Sequence, residues 1–424
     1  MVDFTVTGAS CSVKPAEQTG LRTRGIRRAK APVAIANLGN LEMKKVLLGT
    51  SALLGAGLVA SPAFAADGIK LSLGGFFRTA VLANFDDEGN GDLGDNRYNT
   101  GVFSDGEIYF LGKTTLDNGI TVGARVELEA EQKGDQIDAA YAYFSGGFGE
   151  LRIGSQNGAL MALCVTPVGG TTNFGAFSQD QIINNAFADA GYSAGICNSV
   201  DGFGLGIPAD ATRSQKIVYI TPNFGGFQLG VSWSPNGGHE FTQVSDFHSG
   251  MPQSVDGEQR NVVDGYANFT RDFEGWGINA GLGGSWTLST GGKGSDVKKN
   301  DYYQAGLNLT FGSFSIGAAG EYYNDFAHFD DGSTGDGWVV GGGMAYNIDA
   351  WTVGLQYSYA DWEFINSSDD RRVNTVALSG NYDMGPGISL DATLQYVWAN
   401  ADGGHTNGDN YNSVGIGLGT AFNF

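Results

Sequence analysis

The chain has 424 residues, 68 of them glycine; aromatic residues make up 12%, charged residues only 16%, and 45 acids face 24 bases for a formal net charge of −21. Glycine-rich, aromatic-rich and sparsely charged composition suits an all-β barrel better than a helical enzyme. The acid excess excludes a nucleic-acid binder, because phosphate recognition needs clustered bases.

Residues 1–42 carry Arg22, Arg24, Arg27 and Arg28 without usable periodicity, and are expected to be a non-native or disposable extension, with translation starting at Met43. Lys44 and Lys45 then precede an apolar run over residues 46–60, too short and too small in side chain to span a membrane as a helix. With the small-x-small pattern Ala63-Phe64-Ala65 behind it, residues 43–65 read as a secretory signal peptide and residues 66–424 as one mature domain. Cleavage there removes eight of the bases and three of the acids and leaves a net charge of −26. Cys11 goes with the leader. Cys164 and Cys197 remain, and an oxidising compartment favours a disulfide between them. Zinc is the alternative use of the two thiols, but no histidine lies near either.

From Ile69 onward the dominant signal is alternation, which sends successive side chains to opposite faces of a sheet. It predicts sixteen strands, at residues 69–85, 105–116, 119–131, 136–146, 149–155, 214–222, 226–234, 260–271, 275–288, 300–311, 313–326, 336–348, 351–362, 372–383, 387–399 and 411–424. In the thirteenth, Trp351, Val353, Leu355, Tyr357 and Tyr359 share one face and Thr352, Gly354, Gln356 and Ser358 the other. The strand beginning near Arg260 has the weakest pattern. Connections alternate between short turns, such as Asp117-Asn118-Gly119, and longer, mostly acidic stretches, with one exceptionally short link around Lys133. Aromatic residues mark both ends of the apolar face: Trp276 and Trp286 on one strand, Trp351 and Tyr359 on another. Parity of loops and paired girdles predict a transmembrane, antiparallel, up-and-down β-barrel of the outer-membrane type. A propeller would show a repeat near forty residues, and none is present.

The leader KKVLLGTSALLGAGLVASPAFA, the opening strand IKLSLGGFFRTAVL, the turn LDNGI, the stretch GFGELRIGSQNG and the terminal phenylalanine, in that order and spacing, resemble the Gram-negative general diffusion porins of alphaproteobacterial type over residues 43–424. The resemblance implies a homotrimer of sixteen-stranded barrels, embedded in outer-membrane lipid and lipopolysaccharide, whose long third loop folds inward to narrow the pore. Residues 156–213 correspond to that loop. It also implies a polarised constriction. Strand parity puts Arg78, Lys113, Arg125 and Arg152 on the lumenal face as the basic wall, and the loop offers Asp180, Asp189, Asp201 and Asp210 as the facing acids. Each base has a simpler use, pairing with lumenal acids such as Glu127 or Glu129 to fix strand register.

These features predict passive diffusion of small hydrophilic solutes and ions, with weak cation preference from the acid excess. Asp86, Glu88 and Asn90 are spaced like a cation loop, but Arg97 stands where an EF-hand needs glutamate. No cofactor is expected beyond structural calcium, which the resemblance allows between loop acids or lipopolysaccharide. A substrate-selective channel for sugar or phosphate is the main alternative; it would need an aromatic slide or a dense basic ladder. The predicted lumenal faces are instead mainly Gly, Ser, Thr, Asn and Gln with scattered charges, although Phe174, Phe177 and Phe187 in the long loop offer an aromatic track. A barrel enzyme is disfavoured because His239, His248, His328 and His405 all fall in loops without a Ser/Asp partner pattern. A plain adhesin would leave the pore blocked.

Overall fold

The computed structural model describes residues 68–86, 99–130, 137–169, 197, 213–236, 259–290, 299–328, 334–365, 370–402 and 410–424. The extension at 1–42 and the signal at 43–65 lie outside the described residues.

Sixteen strands follow in order: β1 (Lys70–Asp86), β2 (Thr100–Thr115), β3 (Thr121–Glu129), β4 (Ile137–Gly146), β5 (Gly149–Gln156), β6 (Ser214–Ile220), β7 (Phe227–Asn236), β8 (Gln259–Phe273), β9 (Trp276–Thr290), β10 (Asp301–Phe311), β11 (Phe314–His328), β12 (Thr334–Ile348), β13 (Trp351–Ile365), β14 (Asp370–Gly385), β15 (Ile388–Asp402) and β16 (Asn410–Asn423). One short helix, α1 (Ala159–Leu163), follows β5. Each strand pairs antiparallel with its sequence neighbours, and β16 pairs back to β1, so the sheet closes. Closure gives every strand two hydrogen-bonded neighbours, which a membrane demands of any sheet that crosses it. The seam is finished by the terminal residue: Gly75 N donates to the Phe424 carbonyl at 2.9 Å and Phe424 N to the Gly75 carbonyl at 3.1 Å.

The short turns are as compact as their residues allow. Phe311 opposes Phe314, so Gly312-Ser313 alone reverse the chain, and Gly312 has φ 58°, a conformation in which a side chain would be strained. Asp349, at φ 52° in the equivalent turn before Trp351, uses the tolerance of aspartate for the same region.

One face of the sheet carries the exposed large apolar residues, including Leu71, Leu73, Val81, Leu282, Leu307, Leu355, Leu394 and Leu418. That face is the lipid band. Its turn-side rim holds Phe273 stacked on Trp276 at 4.4 Å and Trp351 against Tyr382 at 4.6 Å; its other rim holds Trp286 with Tyr303 and Trp338 with Tyr359. Rings with a polar edge settle at the boundary between hydrocarbon and headgroup.

Two expectations about length need correction. β2 begins at Thr100 rather than 105, and β11 to β14 run on so far that their outer links shrink to residues 329–333 and 366–369. The link around Lys133 is therefore not the exceptional one. Apolar alternation stops where the lipid band stops, whereas backbone pairing continues beyond it wherever neighbouring strands remain in register. The weak pattern at Arg260 still forms a fifteen-residue strand, paired on both sides.

Candidate lumenal constriction

The inward face divides into two arcs of different chemistry. On β1 to β5 it carries charges and rings. Arg78 donates from Nε to the Asp105 carboxylate at 2.7 Å across the β1–β2 pair and lies over the Phe76 ring at 5.3 Å. Arg125 pairs with Glu127 two residues along β3 and sits 4.1 Å above the Tyr109 ring. Arg152 bonds Glu150 at 2.5 Å along β5 and covers Tyr141 at 5.6 Å. Residues two apart on a strand share a face, so such pairs form without any long-range fold. Lys113 lies exposed toward the turn end, opposite Lys70 on β1 and Gly123 on β3.

Glu129 belongs to a tighter group. Its carboxylate and those of Glu107 and Asp138 approach within 4.8 Å of one another, and Arg213, at the foot of β6, bonds Asp138 at 2.5 Å. Three carboxylates so close call for a positive charge, and Arg213 supplies one. This is the first group among the described residues whose donors could hold a metal ion. The second, Cys164, Cys197 and Glu321, has its two sulfurs in a disulfide and no free thiolate to ligate with.

The arc from β6 to β13 is covered by the beginning of the long loop. Two donors at the start of α1 are bonded to the wall: Leu160 N to Asp264 Oδ1 at 2.8 Å and Ala159 N to Ser232 Oγ at 3.0 Å. Asp264 also accepts from the Ser232 hydroxyl, and it is deeply buried near the equally buried Lys216. Beyond the helix the chain is held residue by residue. Tyr266 accepts from Val165 N at 3.2 Å, Gln304 donates to the Val165 carbonyl at 2.7 Å, and Asn308 donates to the Thr166 carbonyl at 2.8 Å.

Close approach also needs flat wall. At Gly343 an added Cβ would stand 2.0 Å from the Val168 carbonyl oxygen, and at Gly354 2.6 Å from the Gly169 Cα. Any side chain there would push the loop off the sheet.

Cys197 returns to the same wall. It is joined to Cys164, and its N–H donates to Glu321 Oε1 at 2.5 Å. Glu321 accepts as well from Tyr302 at 2.5 Å and Tyr323 at 2.7 Å, so one buried carboxylate ties a loop amide to two strands. Tyr323 packs on Trp362 at 5.1 Å, and with Leu160, Val165, Tyr266 and Tyr302 these rings make an apolar core inside the barrel, beneath the loop.

The buried polar side chains are mostly Ser, Thr, Asn and Gln, as expected of the inner face, but each arc adds rings that alternation alone did not single out. Phe76, Tyr109, Tyr141 and Tyr143 line one, and Tyr266, Tyr302, Tyr323 and Trp362 the other. Asp264 and Glu321 were missed because a lone acid on a strand gives no sign of the loop that will reach it. Their positions on the face opposite the apolar residues were the only available signal. Asp180, Asp189, Asp201, Asp210, Phe174, Phe177 and Phe187 lie outside the described residues, as do Glu88 and Asn90 and the side chain of Asp86. The side chains of all four histidines lie outside them too.

A family model described as "Gram-negative porin" matches residues 49–420. Among solved structures, an anion-selective porin from Comamonas acidovorans aligns at 17% identity with a TM-score of 0.56, covering 84% of this chain and 100% of that one. An engineered variant of the Rh. blastica porin gives 17% identity and 0.52 over the same shares, and the outer membrane channel DcaP of Acinetobacter baumannii gives 14% and 0.54 over 86% of this chain and all of that one. No curated protein matches the sequence.

Proposed function

The chain belongs to the Gram-negative porin family and forms an outer-membrane β-barrel channel, and from that premise we propose that it passes small hydrophilic solutes and ions by diffusion, with weak preference for cations. One observation carries the reading: the described part of the long loop is bonded to the β6–β13 arc, which leaves the charged β1–β5 arc facing the passage. Water-lined space between a covered wall and a charged wall admits hydrated solutes and disfavours apolar ones, which cannot replace the bound water they displace.

The cation preference rests on charge balance along that arc. Arg78, Arg125 and Arg152 each spend their charge on Asp105, Glu127 or Glu150, and Asp138 is taken by Arg213. Glu107 and Glu129 stand over and above these pairs, while Lys113 and Lys70 lie toward the turn end of the arc, so the surplus of carboxylate is local to Glu107 and Glu129, and there it raises the concentration of cations. Asp180, Asp189, Asp201 and Asp210 would add to it from the loop. Export by the 43–65 signal, homotrimer assembly and contact with lipopolysaccharide are parts of the same proposal, resting on family membership. A calcium ion bridging outer acids such as Asp86, Glu88 and Asn90 belongs to it too.

Planar-bilayer recording of purified, refolded protein tests this reading. Stable single-channel steps in potassium chloride and a reversal potential displaced toward potassium are expected. An anion-selective potential would overturn the selectivity, and absence of steps would overturn the open channel.

A further inference from the structure

Three features of the inner wall are not needed for simple diffusion. The carboxylate group around Asp138 has its positive partner in Arg213, and the Cys164–Cys197 staple belongs to the loop anchorage. The third, a strip of rings and guanidinium groups, is unused by simple diffusion.

Phe76, Tyr109, Arg125, Tyr141 and Arg152 come from five successive strands, β1 to β5. The Phe76 and Tyr109 rings are 6.5 Å apart, Arg125 lies 4.1 Å over Tyr109 and directly opposite Tyr141 in the β3–β4 register, and Arg152 lies 5.6 Å over Tyr141. Five adjacent strands put the strip at about 19 Å long, transverse to the strands. Tyr143 widens it. This ring lies over β3 only because residue 123 is glycine, where a Cβ would come within 2.6 Å of the ring.

We propose that this strip is a weak binding subsite for neutral, ring-shaped polyhydroxyl solutes, that is, for mono- and disaccharides entering the channel; the proposal rests on the channel reading above. Arg125 and Arg152 each stand over one face of Tyr109 and Tyr141, so the C–H face of a pyranose would stack on the other face of these half-buried rings and on Tyr143 beside them. Beside them, Arg125 with Glu127 and Arg152 with Glu150 set donors and acceptors side by side, the arrangement that paired hydroxyl groups need.

Charge decides against an anionic ligand. Both guanidinium groups already hold a carboxylate, and Glu107 and Glu129 stand close by, so phosphate or a carboxylate solute meets net repulsion. A neutral sugar loses nothing to that field and keeps its hydrogen bonds.

The test is current through single channels in potassium chloride, titrated with maltose and, separately, with mannitol, a linear polyol that has hydroxyls but no ring. Maltose should reduce the current saturably, beyond its effect on bulk conductivity, and mannitol should not. Tyr141→Leu should raise the half-blocking concentration about five- to tenfold, the worth of one aromatic contact, and Tyr141→Phe by less than about twofold. Equal block by both polyols, block by inorganic phosphate at lower concentration than maltose, or an unmoved Tyr141→Leu would overturn the subsite. If Tyr141→Leu fails to fold, the wild-type comparison of maltose, mannitol and phosphate still decides. Channel steps without sugar block would sink the subsite alone, whereas no steps at all would sink the channel reading with it.

Discussion

The two lumenal arcs use charge in opposite ways. On β1 to β5, arginines and acids pair within one strand or across one hydrogen-bonded pair and stay partly open to the passage, with side-chain exposures between 13% and 32%. On β6 to β13, Asp264 and Glu321 are buried and each bonds a loop amide more than a hundred residues away in sequence. Exposed pairs of the first kind contribute roughly 0 to 1 kcal/mol and are screened by salt. Buried acceptors of the second kind are costly to remove, because the donors they satisfy have no water to turn to. In the proposed channel the first arc would tune what passes, whereas the second holds the described start of the long loop against the wall.

Changes to the covered arc should therefore act on stability and loop placement, and changes to the open arc on ion preference. Glu321→Leu should have the largest effect. It strands the Cys197 amide and takes the shared acceptor from the Tyr302 and Tyr323 hydroxyls, which keep a bond to each other, so about two donors are orphaned and the loss is about 2 to 6 kcal/mol at roughly 1 to 3 kcal/mol each. Denaturant unfolding should read the loss, and single-channel conductance should broaden as the loop leaves the wall. If conductance stays sharp, Glu321 does not anchor the loop.

Cys164→Ser should come next, at about 3 to 4 kcal/mol by loop entropy for a staple spanning 33 residues. A midpoint of denaturation insensitive to reductant in the wild type and unchanged in the variant would show that the wall bonds alone suffice. Gly354→Val should cost about 1 to 3 kcal/mol by overpacking the loop against β13, and should raise conductance while leaving the barrel's strand content by circular dichroism intact.

The smallest stability effects belong to the open arc. Arg125→Gln and Glu127→Gln should each change stability by less than about 1 kcal/mol and move the reversal potential in opposite directions, the first toward potassium and the second toward chloride. Shifts of the same sign in both would blur the contrast between the arcs.

Much of this molecule was legible without coordinates. Alternation over segments such as 351–359 fixed which side chains face lipid, because a period of two leaves no freedom once one face is apolar. The same parity put Arg78, Lys113, Arg125 and Arg152 on the inner face, and the Glu127 alternative to a free basic wall was visible as a residue two positions from Arg125. Strand number and order followed from those runs and their turns. The long loop's anchors did not follow. Asp264, Gln304, Asn308 and Glu321 are each an unremarked polar residue on a strand, and Gly343 and Gly354 are two among 68 glycines. Their partners lie far along the chain, so only closure of the barrel brings them within reach of residues 159–169 and 197. Local periodicity determined the wall, and tertiary packing decided what the wall holds.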